Sequence, residues 1–231
     1  MDEGCSEEEA RSKCWLVDSR GLVVAARTDL ADAKLLYAHD HPEVDNLADI
    51  VRSVKPTVLI GTSTIPKSFT QEVIEHMASY CARPIIFPFS NPTSKSECTA
   101  EEAYTWTNGT AIFASGSPFQ PVTINGKTIH PGQGNNVYIF PGVGLAAYAV
   151  SATNIPYKTF GVAARALAGM ISEEQFSTGL IYPPMSEIQN AAKVVAIACA
   201  DYLFDDDHAG IERPADITEL IERHMWKPTY E

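Results

Sequence analysis

Short apolar runs without period-two alternation constrain this chain most. Thr57-Val58-Leu59-Ile60-Gly61, Ile85-Ile86-Phe87 and Ala111-Ile112-Phe113-Ala114 are apolar on both sides of the extended backbone. Such strands belong in a parallel sheet covered on both faces, whereas a half-wet antiparallel sheet would alternate. The intervening segments carry helical signals. Asn46 to Val54 places Leu47, Ile50, Val51 and Val54 together and breaks at Lys55-Pro56. Thr70 opens a helix with Val73, Ile74 and Met77 on one side, and Ser6 with Glu9 and Thr99 with Glu102 spell capping boxes. Cys14-Trp15-Leu16-Val17 reads as a further strand ending at Asp18-Ser19-Arg20-Gly21, with Leu22-Val23-Val24 continuing beyond a Gly21 turn. Val137-Tyr138-Ile139-Phe140 reads as a last strand, after a Gly/Pro-rich loop with an Asn125-Gly126 turn. The alternation predicts an α/β fold, a doubly wound, mostly parallel sheet. From Gly142 strand signals stop, and 143–153, 159–170, 186–204 and 215–225 read as helices. We expect these to form a C-terminal helical cap over about 142–231 that packs on the sheet.

The chain has 231 residues, 45% of them hydrophobic, enough to bury one large core or two small ones. Its net charge of −12 repels phosphate backbones and anionic lipid, so neither nucleic acid nor a membrane is an expected partner. A small-molecule ligand is. Five cysteines, at 5, 14, 81, 98 and 199, are odd in number and lack CxxC spacing, which argues against a disulfide framework or zinc ribbon. They fit a reducing compartment. Met1-Asp2-Glu3-Gly4 is acidic where a secretory signal is basic, and no apolar run reaches the roughly 18 residues of a membrane span. The expected location is cytoplasmic.

Ligands of doubly wound sheets bind beyond the carboxyl ends of the strands, which directs attention to the residues there. Asp18 ends the first strand, where a carboxylate can bond an adenine-ribose hydroxyl, and Ser19 with Arg20 could hold a 2′-phosphate. Asp18 is equally read as a turn residue before Gly21. The Gly-rich phosphate turn that should precede such an acid by about 20 residues would fall before Met1. A G-x-G-x-x-A does occur at Gly142-Val143-Gly144-Leu145-Ala146-Ala147, after the expected strand 137–140. No strand with a terminal acid follows it, and close packing of a helix start against the sheet explains its glycines better. Gly61-Thr62-Ser63-Thr64-Ile65-Pro66-Lys67-Ser68 nearly spells a P-loop, but Pro66 lacks both the N–H and the flexibility that the anion cradle needs. The small residues Gly61, Thr62 and Ser63 still let a cofactor approach the strand end. His39-Asp40-His41 with Glu43, and Asp205-Asp206-Asp207-His208, read as solvated loops rather than metal sites. Two asparagine loops, Ser90-Asn91-Pro92-Thr93 and Pro131-Gly132-Gln133-Gly134-Asn135-Asn136, carry amides suited to a carboxylate, a hydroxyl or a nicotinamide carboxamide. Asparagine also serves in turns.

Five segments taken together, Trp15 to Leu22, Lys55 to Gly61, Phe89 to Lys95, Ile112 to Phe119 and Pro131 to Asn136, closely resemble malic enzyme. The resemblance covers essentially the whole chain, and corresponds to the C-terminal, dinucleotide-binding part of that family after its first strand and Gly-rich turn. It implies an incomplete Rossmann-like sheet, with 1–231 as a partial NAD(P)-binding domain. It implies that Asp18, Ser19, Arg20 and Lys34 form the adenine-ribose end of the cofactor site, with Gly61, Thr62 and Ser63 as a wall. It makes Asn91 and Asn135 the ends that meet nicotinamide and malate, with Asn136 beside the substrate. Family members oxidise (S)-malate with NAD(P)+ and decarboxylate it to pyruvate and CO2, using Mn2+ or Mg2+. Ser19-Arg20 and Lys34 look more like NADP-dependent members, with NAD the alternative. The family's acid/base pair and metal carboxylates belong to a part outside these 231 residues, so no catalytic residue and no metal ligand is assigned here. The expected partners are malate, pyruvate and dinucleotide, with a homo-oligomer at full length, and a mitochondrial location follows if a targeting segment lies upstream. The other reading is a free-standing, non-catalytic remnant that binds nucleotide weakly or associates with an intact subunit. We expect these residues alone to lack malic enzyme activity. Steady NADPH production from malate and Mn2+ by the purified chain, abolished by Asn135→Ala, would refute that.

Overall fold

The computed structural model describes residues 4–226. The chain divides into two compact units, with the boundary between Thr128 and Ile129. The first begins with α1 (Glu7–Ser12), whose capping box is formed: Glu9 N–H donates to Ser6 Oγ at 3.1 Å and Ser6 N–H to the Glu9 carboxylate at 2.9 Å. The strand expected at Cys14–Val17 is only β1 (Val17–Asp18), and it folds straight back on β2 (Gly21–Leu22) as an antiparallel hairpin. It pairs with β2 instead of entering the parallel sheet. Gly21, at φ +95°, makes the reversal, and a Cβ there would lie 2.2 Å from the Val44 carbonyl oxygen. Only glycine satisfies both conditions. Leu22, Val24 and Ile50 form a small buried cluster with Trp15, Val44 and Val54 around it.

After α2 (Asp32–Leu35), α3 (Leu47–Val54) starts under its Asn46 cap and ends at Lys55 in the left-handed region, φ 51°. Strands and helices then alternate: β3 (Val58–Gly61), α4 (Gln71–Tyr80), β4 (Ile85–Pro88), α5 (Ala100–Trp106) and β5 (Ile112–Ser115). Strands β3, β4 and β5 pair in parallel in that order, with Leu59 opposite Ile86 and Ile86 opposite Phe113. Val73, Ile74 and Met77 of α4, Tyr104 of α5, and Ile86 and Phe113 of the sheet are all buried, with the Tyr104 and Phe113 rings 5.7 Å apart. Burial on both sides holds better for β4 and β5 than for β3, where Val58 is 42% and Ile60 57% exposed. Among the described residues of this unit β3 has a strand neighbour only on its β4 side. The Asn125-Gly126 turn is present, at φ 53° and 77°, between β6 (Val122–Ile124) and β7 (Lys127–Ile129), and the unit boundary falls within β7.

Beyond the end of β7 and a two-residue strand, β8 (Gly132–Gln133), the second unit is helical. The strand expected at Val137–Phe140 is instead a 3-10 turn, Asn136–Tyr138, followed by α6 (Phe140–Ala149). A short apolar run reads equally well as buried helix, and local chemistry settles it here. Asn135 Oδ1 accepts the Val137 N–H at 2.9 Å, Pro141 sits in the first helical turn where its missing N–H costs nothing, and the buried Tyr138 hydroxyl donates to Pro183 O at 2.5 Å. Helices α7 (Lys158–Ala168), α9 (Ile188–Asp205) and α10 (Ile217–His224) fall where sequence placed them; α8 (Glu173–Ser177), under a Ser172–Gln175 capping box, was not anticipated. The core centres on α9, whose Ala191, Val195, Ala196, Cys199, Ala200 and Leu203 are buried with Ala146, Ala163, Leu167 and Ile221. Among the described residues no helix is long and apolar enough to cross a membrane.

The two glycines of G-x-G-x-x-A therefore lie inside α6 and not in a strand-to-helix turn. The Gly142 neighbour is α9, not a sheet: a Cβ on Gly142 would come within 2.7 Å of Val195 Cβ and 2.8 Å of Ala192 O. At Gly144 the same Cβ meets open space. Gly142→Ala should destabilise the protein by about 1–3 kcal/mol through overpacking. Gly144→Ala should stabilise it by about 0.5–1 kcal/mol through helix propensity. Urea unfolding of the two variants checks the contrast, and equal effects would sink the packing account.

Candidate functional site

The hairpin of β1 and β2 turns Asp18 back towards the chain that follows it. Arg27 grips Asp18 with both terminal nitrogens, at 2.9 and 3.1 Å, and reaches Asp29 through Nε at 3.1 Å and Nη2 at 2.9 Å. Lys34 also ion-pairs with Asp18, Arg20 N–H donates to Asp18 Oδ1 at 3.0 Å, and the Arg20 guanidinium lies 3.1 Å from Asp29. The Arg27 guanidinium, chiefly, holds the Asp18 carboxyl well below the usual carboxylate range, with Lys34 and the Arg20 N–H adding to it against burial. Asp29 is lowered too, by Arg27 first. Three cations face two carboxylates, so one positive charge is in excess. The Arg27 side chain is 7% exposed, whereas those of Arg20 and Lys34 are 70% and 42% exposed. The buried cation locks the carboxylates, and the exposed ones remain able to meet an anion. Ser19 is exposed in the same hairpin.

The second cluster sits beyond the carboxyl ends of β3 and β4. Glu97, fully buried, accepts from Ser63 N–H and Ser63 Oγ at 3.0 Å each, from Ser90 Oγ, and from Ser90 N–H at 3.4 Å. Thr64 N–H donates to Ser90 Oγ at 2.9 Å, Ile65 N–H to Ser63 Oγ at 3.1 Å, and Lys67 N–H to Ser96 O at 3.2 Å. Pro66 has no N–H to give. Four backbone donors of the P-loop-like segment, those of Ser63, Thr64, Ile65 and Lys67, are thus spent internally and are not available to cradle a phosphate. Gly61 ends β3 against this carboxylate, and Thr62 and Ser63 follow it at the surface.

Asn91 follows β4, exposed and joined to Pro92 by a cis peptide. Its Oδ1 accepts from Ser117 Oγ at 2.6 Å, and Nδ2 makes one long contact, 3.4 Å, to Phe89 O. An amide nitrogen with two protons keeps donor capacity in that arrangement. Gly116, after β5, allows the close approach, since its Cβ would lie 2.3 Å from Phe89 O and 2.6 Å from Asn91 Nδ2. Asn135 and Asn136, both exposed, belong to the second unit, where Asn135 caps the 3-10 turn.

The structure thus gathers Asp18, Arg20 and Lys34 into one cluster and ties Ser63 to Ser90, the neighbour of Asn91. Sequence reasoning missed Arg27, Asp29 and Glu97. Arg27 and Asp29 carry a weak signal, a basic and an acidic residue just after a hairpin, but the Glu97 signal is hidden because its partner Ser63 is 34 positions away. Among the described residues no three His, Cys, Asp or Glu side chains converge to hold a metal ion. The buried thiols do not suit nucleophilic work: burial pushes Cys199 up to about 11 and Cys98 higher still. A cleft of about 570 Å³ in the second unit, bounded by Val194, Ile197, Arg213 and Ile217, contains none of these residues. Its Arg213 is already paired with Asp201 and Asp205, leaving that surface acidic.

The sequence profile of the family described as "Malic enzyme, NAD binding domain" matches residues 1–204. The NADP-dependent malic enzyme of Vitis vinifera is 49% identical over 228 residues, 98% of this chain and 39% of that protein. That of Anas platyrhynchos is 45% identical over 99% of this chain and 41% of its own length, and the mitochondrial NADP-dependent malic enzyme of Homo sapiens 45% over 99% and 38%. The chain therefore spans about two-fifths of the length of the curated relatives it matches. The crystal structure of Entamoeba histolytica malic enzyme has the same fold over 91% of this chain and 41% of its own, with TM-score 0.72 at 24% identity. That of Pyrococcus horikoshii malic enzyme gives 0.65 at 23%, over 90% of this chain and 45% of its own.

The ion cluster predicts a pH signature. A carboxyl whose folded value is depressed stabilises the fold above its unfolded value, about 3.9 for Asp, and loses that contribution as pH falls through the folded value. Arg27→Met should lower the urea midpoint at pH 7, and the gap from the unaltered protein should narrow as pH falls below about 4. A gap that stays constant with pH would mean that Arg27 acts by packing alone.

Proposed function

Because the chain belongs to the malic enzyme family and corresponds to its NAD-binding domain, we propose that it provides the dinucleotide site for NADP-dependent oxidative decarboxylation of (S)-malate to pyruvate and CO2. The bound nicotinamide would supply the hydride acceptor for C2 of malate. In this reading Arg20 and Lys34 hold the 2′-phosphate, while Arg27 keeps Asp18 and Asp29 from repelling it. Ser19 adds a hydroxyl at the same hairpin. Gly61, Thr62 and Ser63 form a close, uncharged wall, and Asn91 offers an amide donor to the nicotinamide carboxamide or the substrate. Asn135 and Asn136 of the second unit are exposed amides of the kind that suits a substrate carboxylate or hydroxyl.

The observation that carries the choice of NADP is the excess cation around Asp18. For an NAD site the acid must be at liberty to accept from a ribose diol. Here both Asp18 oxygens are already engaged by cations, and the exposed Arg20 and Lys34 extend from the same cluster. The relatives from Vitis vinifera and Anas platyrhynchos carry NADP dependence in their names. No set of side chains among the described residues fits a metal ion. Proton transfer and metal binding are assigned to polypeptide beyond the two-fifths this chain represents, in a cytoplasmic homo-oligomer. The alternative, a non-catalytic module that associates with an intact subunit, draws on the exposed Val58 and Ile60 of β3.

A charge-assisted hydrogen bond to phosphate contributes about 1.5–3 kcal/mol, tenfold or more in affinity. Arg20→Ala and Lys34→Ala should each weaken NADPH binding about tenfold and leave NADH binding within about twofold, by fluorescence titration. Equal losses for both cofactors would remove the 2′-phosphate assignment.

A further inference from the structure

The geometry points to Glu97 as a positioning residue that sets the walls of the dinucleotide cleft, an inference that rests on the cofactor reading above. Glu97 lies on neither of the loops it organises. It sits between the 3-10 turn Thr93–Lys95 and α5, fully buried, and faces the carboxyl ends of β3 and β4 from beneath. A buried carboxylate persists only where donors replace water. The donors described above all come from the two strand-end loops: Ser63 N–H and Oγ beyond β3, and Ser90 N–H and Oγ beyond β4.

The two serines pass this order outward. Each gives its hydroxyl proton to Glu97 and so turns a lone pair towards the β3 loop, Ser63 to Ile65 N–H and Ser90 to Thr64 N–H. One carboxylate thus fixes Ser63, Thr64 and Ile65 directly or through one hydroxyl, together with the residue preceding Asn91. A second observation is independent of these bonds. Gly61 has no side chain where the Glu97 side chain lies, and a Cβ there would come within 2.5 Å of Glu97 Cδ. The glycine that keeps the cofactor wall low is also the space the carboxylate occupies. With the Ser63, Thr64 and Ile65 N–H groups engaged and the Glu97 side chain against Gly61, this wall has few donors left for a phosphate and suits the uncharged part of a dinucleotide.

A residue that only anchors the fold would lower stability without changing the affinity of the folded protein. Two readouts separate the cases: amide hydrogen exchange at Ser63, Thr64 and Ile65, and NADPH affinity of the folded fraction by fluorescence titration. Glu97→Ala should speed exchange at the three amides and weaken NADPH about tenfold or more. Glu97→Gln, which retains an acceptor oxygen for both serines, should recover affinity to within about threefold of the unaltered protein. Gly61→Ala keeps every hydrogen-bonding group but pushes on the carboxylate, and should reproduce the Glu97→Ala pattern. It decides the matter if Glu97→Ala does not fold. Unchanged affinity and unchanged exchange in the alanine variants would overturn the inference, as would Glu97→Gln losing as much affinity as Glu97→Ala. An unaltered protein that takes up neither NADPH nor NADH would overturn the cofactor reading instead, and the exchange pattern alone would then decide whether Glu97 holds the loops.

Discussion

A carboxylate drawn out of water needs donors, and the donors it recruits decide where the chain goes next. In the first unit this applies twice. Asp18 is placed by a two-residue hairpin, and the Arg27 guanidinium that satisfies it also spans to Asp29, closing the segment between them into a fixed loop. Glu97 draws the chain beyond β3 and the chain beyond β4 to a single point. Glycine has a necessary part in both arrangements. Gly21 supplies a positive φ under the Val44 carbonyl, and Gly61 supplies the volume that Glu97 fills.

The second unit rests on a different constraint, the small side chains of α9. Ala191, Ala196 and Ala200 allow neighbouring helices to approach closely, and Gly142 on α6 is the extreme case, with no room for even a methyl group. Such packing gains dispersion contacts but tolerates little change in volume. Because the required smallness comes from helix–helix contact, G-x-G-x-x-A has a sufficient explanation here without any phosphate.

Local signals were legible in the sequence wherever one residue's chemistry decides the outcome. The caps at Ser6, Asn46, Thr70 and Thr99 start helices, and Asn125-Gly126 turns the hairpin of β6 and β7. The apolar run Val137–Phe140 was misread as a strand because periodicity cannot separate a short buried strand from a buried helical turn. What decided it was Asn135 as a cap, Pro141 in the first turn and a tyrosine hydroxyl bond to residue 183. The candidate site shows the same division. Asp18 and Arg20 are legible at a strand end and Lys34 through the family resemblance, but Arg27 and Glu97 are charged residues that only a structure reveals as buried. A one-dimensional reading assigns charge to the surface by default, and the exceptions are the residues that hold the site.

The two clusters of the first unit differ in the charge they present. Around Asp18 three cations outnumber two carboxylates, and the surplus is carried by the exposed Arg20 and Lys34. Beyond β3 and β4 the Ser63, Thr64 and Ile65 N–H groups are engaged, the Glu97 side chain lies against Gly61, and the exposed Asn91 presents a neutral amide. On the cofactor reading proposed above, a phosphate suits the first cluster and an uncharged carboxamide the second. The reverse match is poorer, since a phosphate would meet a loop whose Ser63, Thr64 and Ile65 N–H groups are already engaged, and a neutral carboxamide would leave the one positive charge in excess around Asp18 unbalanced. What each cluster favours thus follows from the buried side chain that organises it, Arg27 in one and Glu97 in the other.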